Sequence, residues 1–464
     1  MTTIEAAKPR EFLGHPFGLI YLVFAEAFER FSYYGMRALL TLYLAQQLLL
    51  PGHIEKVLGF VPFRGFLEGL YGHHLDVAGL TSAIVGLYGL TYLTPLMGGV
   101  IADALLGRRA TVTLGASVMV LGHFLMAFEQ SFLLALVLIL FGVGCFKGNI
   151  SSQVGQLYGP GDVRAGTAFQ IFYLVFNTAV IVAPIVCGTL GQKVAWHWGF
   201  GAAGISMLFG LIVYLSGAKY LPPEKPRGKA AADAPPPVPL NGRDWGLIVV
   251  LLVLLPLLAA SLVMNEQIFN NYITWGNDNF NLHLLAWDVP SSWLVSLDAT
   301  CSMVFLSGSI LFWKWWSMNW KEPNELTKIA FAGIFTAIAP LALVAASMTV
   351  HPGHKASLWW AILFELFNDI GFANLVPVSL ALFARVAPRQ VNGTMIGVYM
   401  LTFFGADTVA GFVGQYMAPL GPTNFWWLHV AIVGGAAVGL ILYWRLFGRF
   451  LMSAPKPAAP QEIY

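Results

Sequence analysis

Apolar residues are concentrated in twelve long runs that short polar stretches separate. Each run approaches or exceeds the roughly 20 residues that a helix needs to cross the hydrocarbon core of a membrane. Such runs are longer than the alternating strands of a membrane barrel. The pattern predicts an all-α polytopic membrane protein with twelve transmembrane helices. They cover residues 16–49, 78–101, 110–128, 131–156, 166–190, 198–217, 244–275, 292–315, 325–349, 356–385, 394–416 and 424–447.

Composition supports this class of protein. Of the 464 residues, 57% are hydrophobic and only 10% are charged, whereas soluble domains carry about 25% charged residues. The net charge of +2 gives no reason to expect a nucleic-acid partner. The lipid bilayer is the expected surrounding. Residues 1–10 are polar and precede a run too long for a signal peptide, so we expect no cleaved leader.

A polar, proline-rich stretch at residues 218–243 divides the apolar runs into two groups of six. Its composition cannot bury a core. We therefore predict an N-terminal six-helix bundle at 1–217, a cytoplasmic linker at 218–243, a C-terminal six-helix bundle at 244–452 and a disordered tail at 453–464. Two repeated bundles around a central cavity are an arrangement typical of secondary transporters.

Basic residues are concentrated in alternate loops of the chain. By the positive-inside rule these loops are cytoplasmic, which places both termini and the linker inside the cell. We expect the protein in the plasma (inner) membrane. The cations concerned are Lys8, Arg10, Arg108, Arg109, Lys314, Lys321, Lys328, Arg385, Arg389, Arg445 and Arg449. The opposite loops carry Glu129, Asp278 and Asp288.

The first apolar run contains Glu26, Glu29, Arg30, Tyr33 and Arg37 at spacings that put them on one face of a helix. One charge at the centre of a membrane helix costs about 3 kcal/mol on insertion scales. Four such charges therefore have to pair with one another and line a water-filled cavity. The face predicts a protein that moves a polar solute across the membrane.

The two halves of the chain differ in the charges within their apolar runs. The first half has Glu26, Glu29, Arg30, Arg37 and Lys147, a net of +1. The second half has Glu266, Asp298, Glu365, Asp369 and Asp407, a net of −5. A zwitterion such as an amino acid or short peptide would satisfy both halves. Buried acids without partners also retain protons readily, as a proton symporter requires.

Several sequence motifs carry a family resemblance. They are Glu26-x-x-Glu29-Arg30-Phe31-x-Tyr33-Tyr34-Gly35, the stretch Gly142 to Ser151 with its Phe146-Lys147-x-Asn149 core, the loop Gly98 to Arg109, Phe172 to Asn177, and Gly393 to Gly397. With these motifs the chain resembles the proton-dependent oligopeptide transporters of the major facilitator superfamily. The resemblance extends over the whole chain and implies the major facilitator fold.

The resemblance also implies roles for individual residues. The peptide's carboxylate would be received by Arg37 and Lys147, and Asn177 would bind a peptide amide. The cavity would be lined by tyrosines, namely Tyr33, Tyr34 and one from the second helix, either Tyr88 or Tyr92. Proton coupling would involve Glu26, Glu29, Arg30, Lys147 and Glu266. Plain core packing is the alternative for the tyrosines.

One departure from the family concerns the residue that binds the peptide's amino group. The family has a glutamate five residues before the proline of the tenth helix, and here that position is Phe372. Glu365 and Asp369 lie on nearly the same helix face, and the eighth helix has Asp298 where the family has asparagine. We expect Asp298, with Glu365 or Asp369, to bind the amine instead. The alternative is a substrate that lacks this amine.

The predicted function is proton-coupled symport of di- and tripeptides into the cell by alternating access. The alternatives are a proton-coupled carrier for another solute, such as nitrate, a drug or a sugar, and a membrane receptor that binds without transport. An enzyme is not expected, because no nucleophile and base stand at a catalytic spacing. We expect a monomer with no cofactor. We also expect no metal site, since the adjacent His73 and His74 cannot face one ligand.

Overall fold

The structure is a computed structural model that describes residues 11–159, 162, 164–222, 224, 239–284 and 286–452. Most of the predicted linker and all of the predicted disordered tail at 453–464 lie outside these residues. The described chain is almost entirely helical. The helices are α1 (Gly18–Tyr43), α2 (Phe60–Tyr71), α3 (Val77–Gly86), α4 (Thr94–Val100), α5 (Arg108–Leu125), α6 (Phe132–Gln156), α7 (Arg164–Lys193), α8 (Trp196–Ser216), α9 (Gly242–Gln267), α10 (Asn271–Asn279), α11 (Trp293–Asn319), α12 (Glu325–Thr349), α13 (Trp359–Val386), α14 (Asn392–Tyr399), α15 (Leu401–Gly414) and α16 (Met417–Met452).

Shorter elements join these helices. Two antiparallel pairs of two-residue strands are present, with Glu11 opposite Pro16 in one and His283 opposite Asp288 in the other. The strands are β1 (Glu11–Phe12), β2 (His15–Pro16), β3 (His283–Leu284) and β4 (Trp287–Asp288). The 3₁₀ turns are Ile54–Lys56, Leu87–Tyr92, Glu129–Ser131, Ala218–Tyr220 and Arg389–Val391, and the π-helical turns are Leu44–Leu48 and Ile101–Leu106.

Ten helical segments of the described chain are long and apolar enough to span a membrane. All twelve predicted apolar runs are helical, so two of them fall outside these ten. One is α1, which is about 39 Å long at 1.5 Å per residue but carries four charged side chains. The other is α5, which begins with two arginines. The structure confirms a helical, multi-pass membrane protein, and the count of twelve spans stays a prediction.

Side-chain caps explain where several helices begin. Asp76 accepts a hydrogen bond from the backbone of Gly79 at the start of α3, and Asn324 caps α12 in the same way. At α9, Asn241 and Asp244 each accept a hydrogen bond from the other's backbone N–H, which forms a capping box. These polar residues satisfy N–H groups that a helix leaves without partners in its first turn.

The chain contains two compact units. The first contains α1 as far as Leu39 and α4 to α8; in it α5 packs on α6 and α8, and α4 packs on α6. The second contains α2, α3 and α9 to α16, with α12 packed on α13 and α16, and α9 on α15. Its core includes Leu254, Leu375 and Phe383. The predicted division into bundles at 1–217 and 244–452 stays a prediction.

Within the second unit, α3 and α15 meet through glycines. A Cβ atom built on Gly86 would lie 2.8 Å from the Cα of Gly411, and one built on Gly411 would lie 2.6 Å from the Cα of Gly86. Real Cβ atoms do not come so close to another carbon. The two backbones are therefore in direct contact, and neither position has room for a methyl group.

Candidate functional site

In the first unit, charged side chains of α1 form a buried cluster. Arg30 Nε lies 2.8 Å from Glu26 Oε1 and 3.2 Å from Glu29 Oε2, and all three residues are at most 3% exposed. The arginine also lies over the ring of Phe176 in α7, 5.2 Å from its centroid, within the range of a cation–π contact. The spacing of four residues between Glu26 and Arg30 places both on one helix face.

Lys147 of α6 faces the same group. Its ammonium is within electrostatic reach of Glu29, Glu26, Arg30 and Arg37. We call Glu26, Glu29, Arg30 and Lys147 the charge cluster. Its hydrogen bonding is incomplete, because Glu26 Oε2 and both oxygens of Glu29 are buried without a hydrogen-bond partner. A carboxyl group with unused acceptor sites in such a place can take up a proton without first breaking a hydrogen bond.

Close helix packing holds Lys147 in place. A Cβ built on Gly98 of α4 would lie 1.9 Å from the carbonyl oxygen of Gly144, so α4 and α6 are in backbone contact three residues before Lys147. Asn149 reinforces this contact by donating to the Gly98 carbonyl at 3.2 Å and to the Cys145 carbonyl at 2.9 Å. The motif residues around Lys147 therefore position its helix.

We predict that Gly98→Ala destabilises the protein and that Gly99→Ala does not. The added methyl group at position 98 collides with backbone atoms, and overpacking of this kind costs about 1–3 kcal/mol. At Gly99 no atom lies within 4 Å of the built Cβ. Thermal unfolding in detergent measures the difference, and equal midpoints for the two variants would contradict the described contact.

The remaining predicted residues of the first unit have more ordinary surroundings. The rings of Tyr33 and Tyr34 pack edge to face with centroids 5.3 Å apart, and Tyr34 is within electrostatic reach of Arg30. Arg37 is buried. Asn177 donates to the Tyr173 carbonyl of its own helix at 2.7 Å. The substrate contacts predicted for these residues stay predictions.

In the second unit, three carboxyl groups come together. One oxygen from each of Asp298, Glu365 and Asp369 lies within 4.8 Å of the others. We call these residues the acidic cluster. Glu365 and Asp369 are one turn apart on α13 and fully buried, and Asp298 of α11 is 9% exposed. The structure thus brings together all three residues that the sequence offered for binding an amine.

Three further candidate residues lie in the second unit. Glu266 at the end of α9 is buried, and its charge acts on Asp298. The Tyr92 hydroxyl donates to Glu266 at 3.5 Å, and its ring stacks on Phe403 with centroids 5.1 Å apart. Tyr88 is fully buried in the 3₁₀ turn. Tyr92, one of the two candidate tyrosines, therefore contacts an acid in the described structure.

Sequence reasoning did not single out Phe176, Tyr272 or Ser302. Ser302 donates a hydrogen bond to Asp369 Oδ1, and Tyr272 lies beside Glu365. Ser302 follows Asp298 by four residues, so helical spacing could have found it. No pattern in the sequence distinguishes Phe176 or Tyr272 from aromatic residues that only pack.

Comparisons with known proteins point to one family. The family model described as the POT family matches residues 109–234. The chain is 28% identical to the peptide transporter YePEPT of Yersinia enterocolitica, over 95% of this chain and 96% of the relative. It is 27% identical to a di-/tripeptide transporter of Lactococcus lactis subsp. cremoris, over 93% and 95%.

Solved structures agree in fold. A crystal structure of peptide transporter POT in complex with sulfate matches with a TM-score of 0.80 at 23% identity, covering 96% of this chain and 97% of that one. A POT family transporter in complex with 5-aminolevulinic acid matches with a TM-score of 0.80 at 22% identity, covering 96% and 99%. These relatives are transporters, as the sequence analysis expected. The comparisons confirm the resemblance of this chain to the POT family and its major facilitator fold.

Proposed function

We propose that this protein carries di- and tripeptides into the cell together with protons, by alternating access. The observation that carries the proposal is the pair of buried polar groups, the charge cluster and the acidic cluster, inside apolar helices. Ionisable groups at such positions are costly and are retained for function. The peptide transporters that resemble this chain support the substrate class.

The chain has residues suited to binding each end of a peptide, the carboxylate and the ammonium. Its carboxylate would be received by Arg37 and Lys147, since a guanidinium can bind a carboxylate through two parallel hydrogen bonds. Its ammonium would be received by the acidic cluster. Tyr33, Tyr34 and Tyr88 would contact the rest of the peptide, and Asn177 would bind an amide group.

Proton coupling would use the carboxyl oxygens of the charge cluster that have no hydrogen-bond partner. A proton on Glu29 or Glu26 would release Lys147 to bind the peptide, and loss of the proton would draw Lys147 back toward the carboxylates. Glu266 would be a further proton carrier. Because one set of residues then serves the proton and the peptide in turn, movement of one is tied to movement of the other.

The remaining parts of the proposal follow from the sequence. The positive-inside rule supports cytoplasmic termini and a cytoplasmic linker at 218–243. The six-helix bundles at 1–217 and 244–452 would be the two bodies that move in the cycle. The protein would act as a monomer in the plasma membrane.

Uptake of labelled dialanine into proteoliposomes tests the function. We expect accumulation only with an inward proton gradient and a negative interior potential. Unlabelled di- and tripeptides should block it, and free alanine should not. Accumulation that persists without the gradient would contradict proton coupling, and no uptake by protein shown to be active on another solute would contradict the substrate class.

A second candidate is a carrier for a non-peptide solute. It is favoured by the changed residues Phe372 and Asp298 and by the 5-aminolevulinic acid bound to a structurally similar POT family transporter. Labelled 5-aminolevulinic acid in the same vesicles separates the two candidates. Uptake of this compound that dipeptides do not inhibit would favour the second.

A further inference from the structure

The acidic cluster has the dimensions of a metal-ion coordination shell. One oxygen from each of its three carboxyl groups lies within 4.8 Å of the other two. Ca²⁺ binds oxygen at about 2.3–2.6 Å, so carboxyl groups this close together can share one ion. Ca²⁺ accepts about six to eight oxygen ligands in a flexible geometry, whereas Mg²⁺ requires a near-ideal octahedron and usually keeps several waters. A buried set of protein oxygens therefore suits the larger ion.

The carboxyl oxygens of the cluster are poorly satisfied by the protein itself. Asp369 Oδ1 accepts a hydrogen bond from Ser302. Asp369 Oδ2 and Asp298 Oδ1 are buried without a hydrogen-bond partner, and Glu365 has the Tyr272 hydroxyl beside it. None of the three residues forms an ion pair within the described part of the chain. Buried acceptors without partners are costly, and a bound cation would satisfy them.

A group other than the acids also points into the cluster. The Tyr272 side chain is fully buried, and its hydroxyl lies beside Glu365. This hydroxyl and the Ser302 hydroxyl could complete a set of oxygen ligands, which hard cations prefer.

We propose that Asp298, Glu365 and Asp369 bind one divalent cation of the Ca²⁺ type. Each residue supplies a carboxylate oxygen, from helix α11 on one side and two successive turns of α13 on the other. The ion ties these two helices together in the absence of peptide. The proposal does not depend on the transport function, since the ion binds to the protein without any substrate.

Titration of the purified full-length chain in detergent with Mn²⁺, followed by the electron paramagnetic resonance signal of the free ion, tests the site. We expect one Mn²⁺ per chain, displaced by Ca²⁺ at lower concentrations than by Mg²⁺. Ca²⁺ should also raise the midpoint of thermal unfolding, because it binds the folded state. No Mn²⁺ bound at about 1 mM, the weak end of protein calcium sites, would overturn the proposal.

Two cluster variants and a control locate the ion. Glu365→Gln and Asp369→Asn should each weaken Mn²⁺ binding by about tenfold or more, since each removes a charged ligand. Asp407→Asn removes a buried acid of α15 outside the cluster and should leave binding unchanged. Equal Mn²⁺ affinity in all variants would place the ion elsewhere. Peptide uptake is measured separately, so either proposal can fail while the other stands.

Discussion

Lys147→Ala is expected to abolish accumulation of dialanine driven by a proton gradient. In the structure Lys147 faces Glu29, Glu26 and Arg30, and Arg30 already lies between the two carboxylates. An arginine keeps its charge throughout the physiological range, whereas a lysine can exchange partners and protons. Without Lys147, protonation of Glu29 no longer changes the bonding of the residue proposed to bind the peptide carboxylate. Uptake in proteoliposomes with and without the gradient measures the effect.

Two controls separate coupling from general damage. Lys314→Ala removes an exposed lysine at the far end of α11 and should leave accumulation intact. Exchange of internal for external dialanine requires binding but no net proton movement, so part of it should survive in Lys147→Ala. Full concentrative uptake by this variant would refute the role of Lys147 in coupling.

Glu365→Gln and Asp298→Asn are expected to reduce uptake of dialanine strongly. Each replaces a charged acceptor in the acidic cluster with a neutral one, and a hydrogen bond to a charged group contributes about 1.5–3 kcal/mol. Loss of this contribution corresponds to a roughly 10- to 150-fold lower apparent affinity for a free-amine peptide. Concentration dependence of dialanine uptake measures it.

N-acetyl-dialanine serves as the matched substrate for these variants, because it lacks the cationic amine. Wild-type protein should transport it poorly, and the two substitutions should change its uptake much less than that of dialanine. Asp407→Asn is again the control for a buried acid outside the cluster. Unchanged dialanine uptake in both cluster variants would show that the amine is bound elsewhere or that the substrate has none.

The sequence predicts contacts within one helix better than contacts between helices. Helical spacing is sufficient to put Glu26 beside Arg30 and Glu365 beside Asp369, since both pairs are four residues apart on one helix. The meeting of Asp298 with the second pair depends on how α11 packs on α13, and spacing along one helix carries no information about that. The contact of Phe176 with Arg30 was missed for the same reason.

The fold was predictable at the level of membrane segments. Every apolar run of the sequence is mainly helical in the structure, as expected because a segment in lipid must satisfy its backbone groups internally. Interruptions within a run were not predicted. Residues 78–101 were expected as one helix, and the structure has α3, the 3₁₀ turn Leu87–Tyr92 and α4. Such breaks arise from packing between helices, and hydropathy does not report them.

The glycine contact between α3 and α15 has a mechanical consequence. Helices usually resist sliding because side chains of one fill the grooves of the other. At Gly86 and Gly411 there are no side chains to interlock, so at this point of the crossing a small shift along the helix axes meets no side chain. Separation of the helices, by contrast, would lose the close backbone contact. The crossing therefore opposes separation of α3 and α15 more strongly than it opposes their movement past one another.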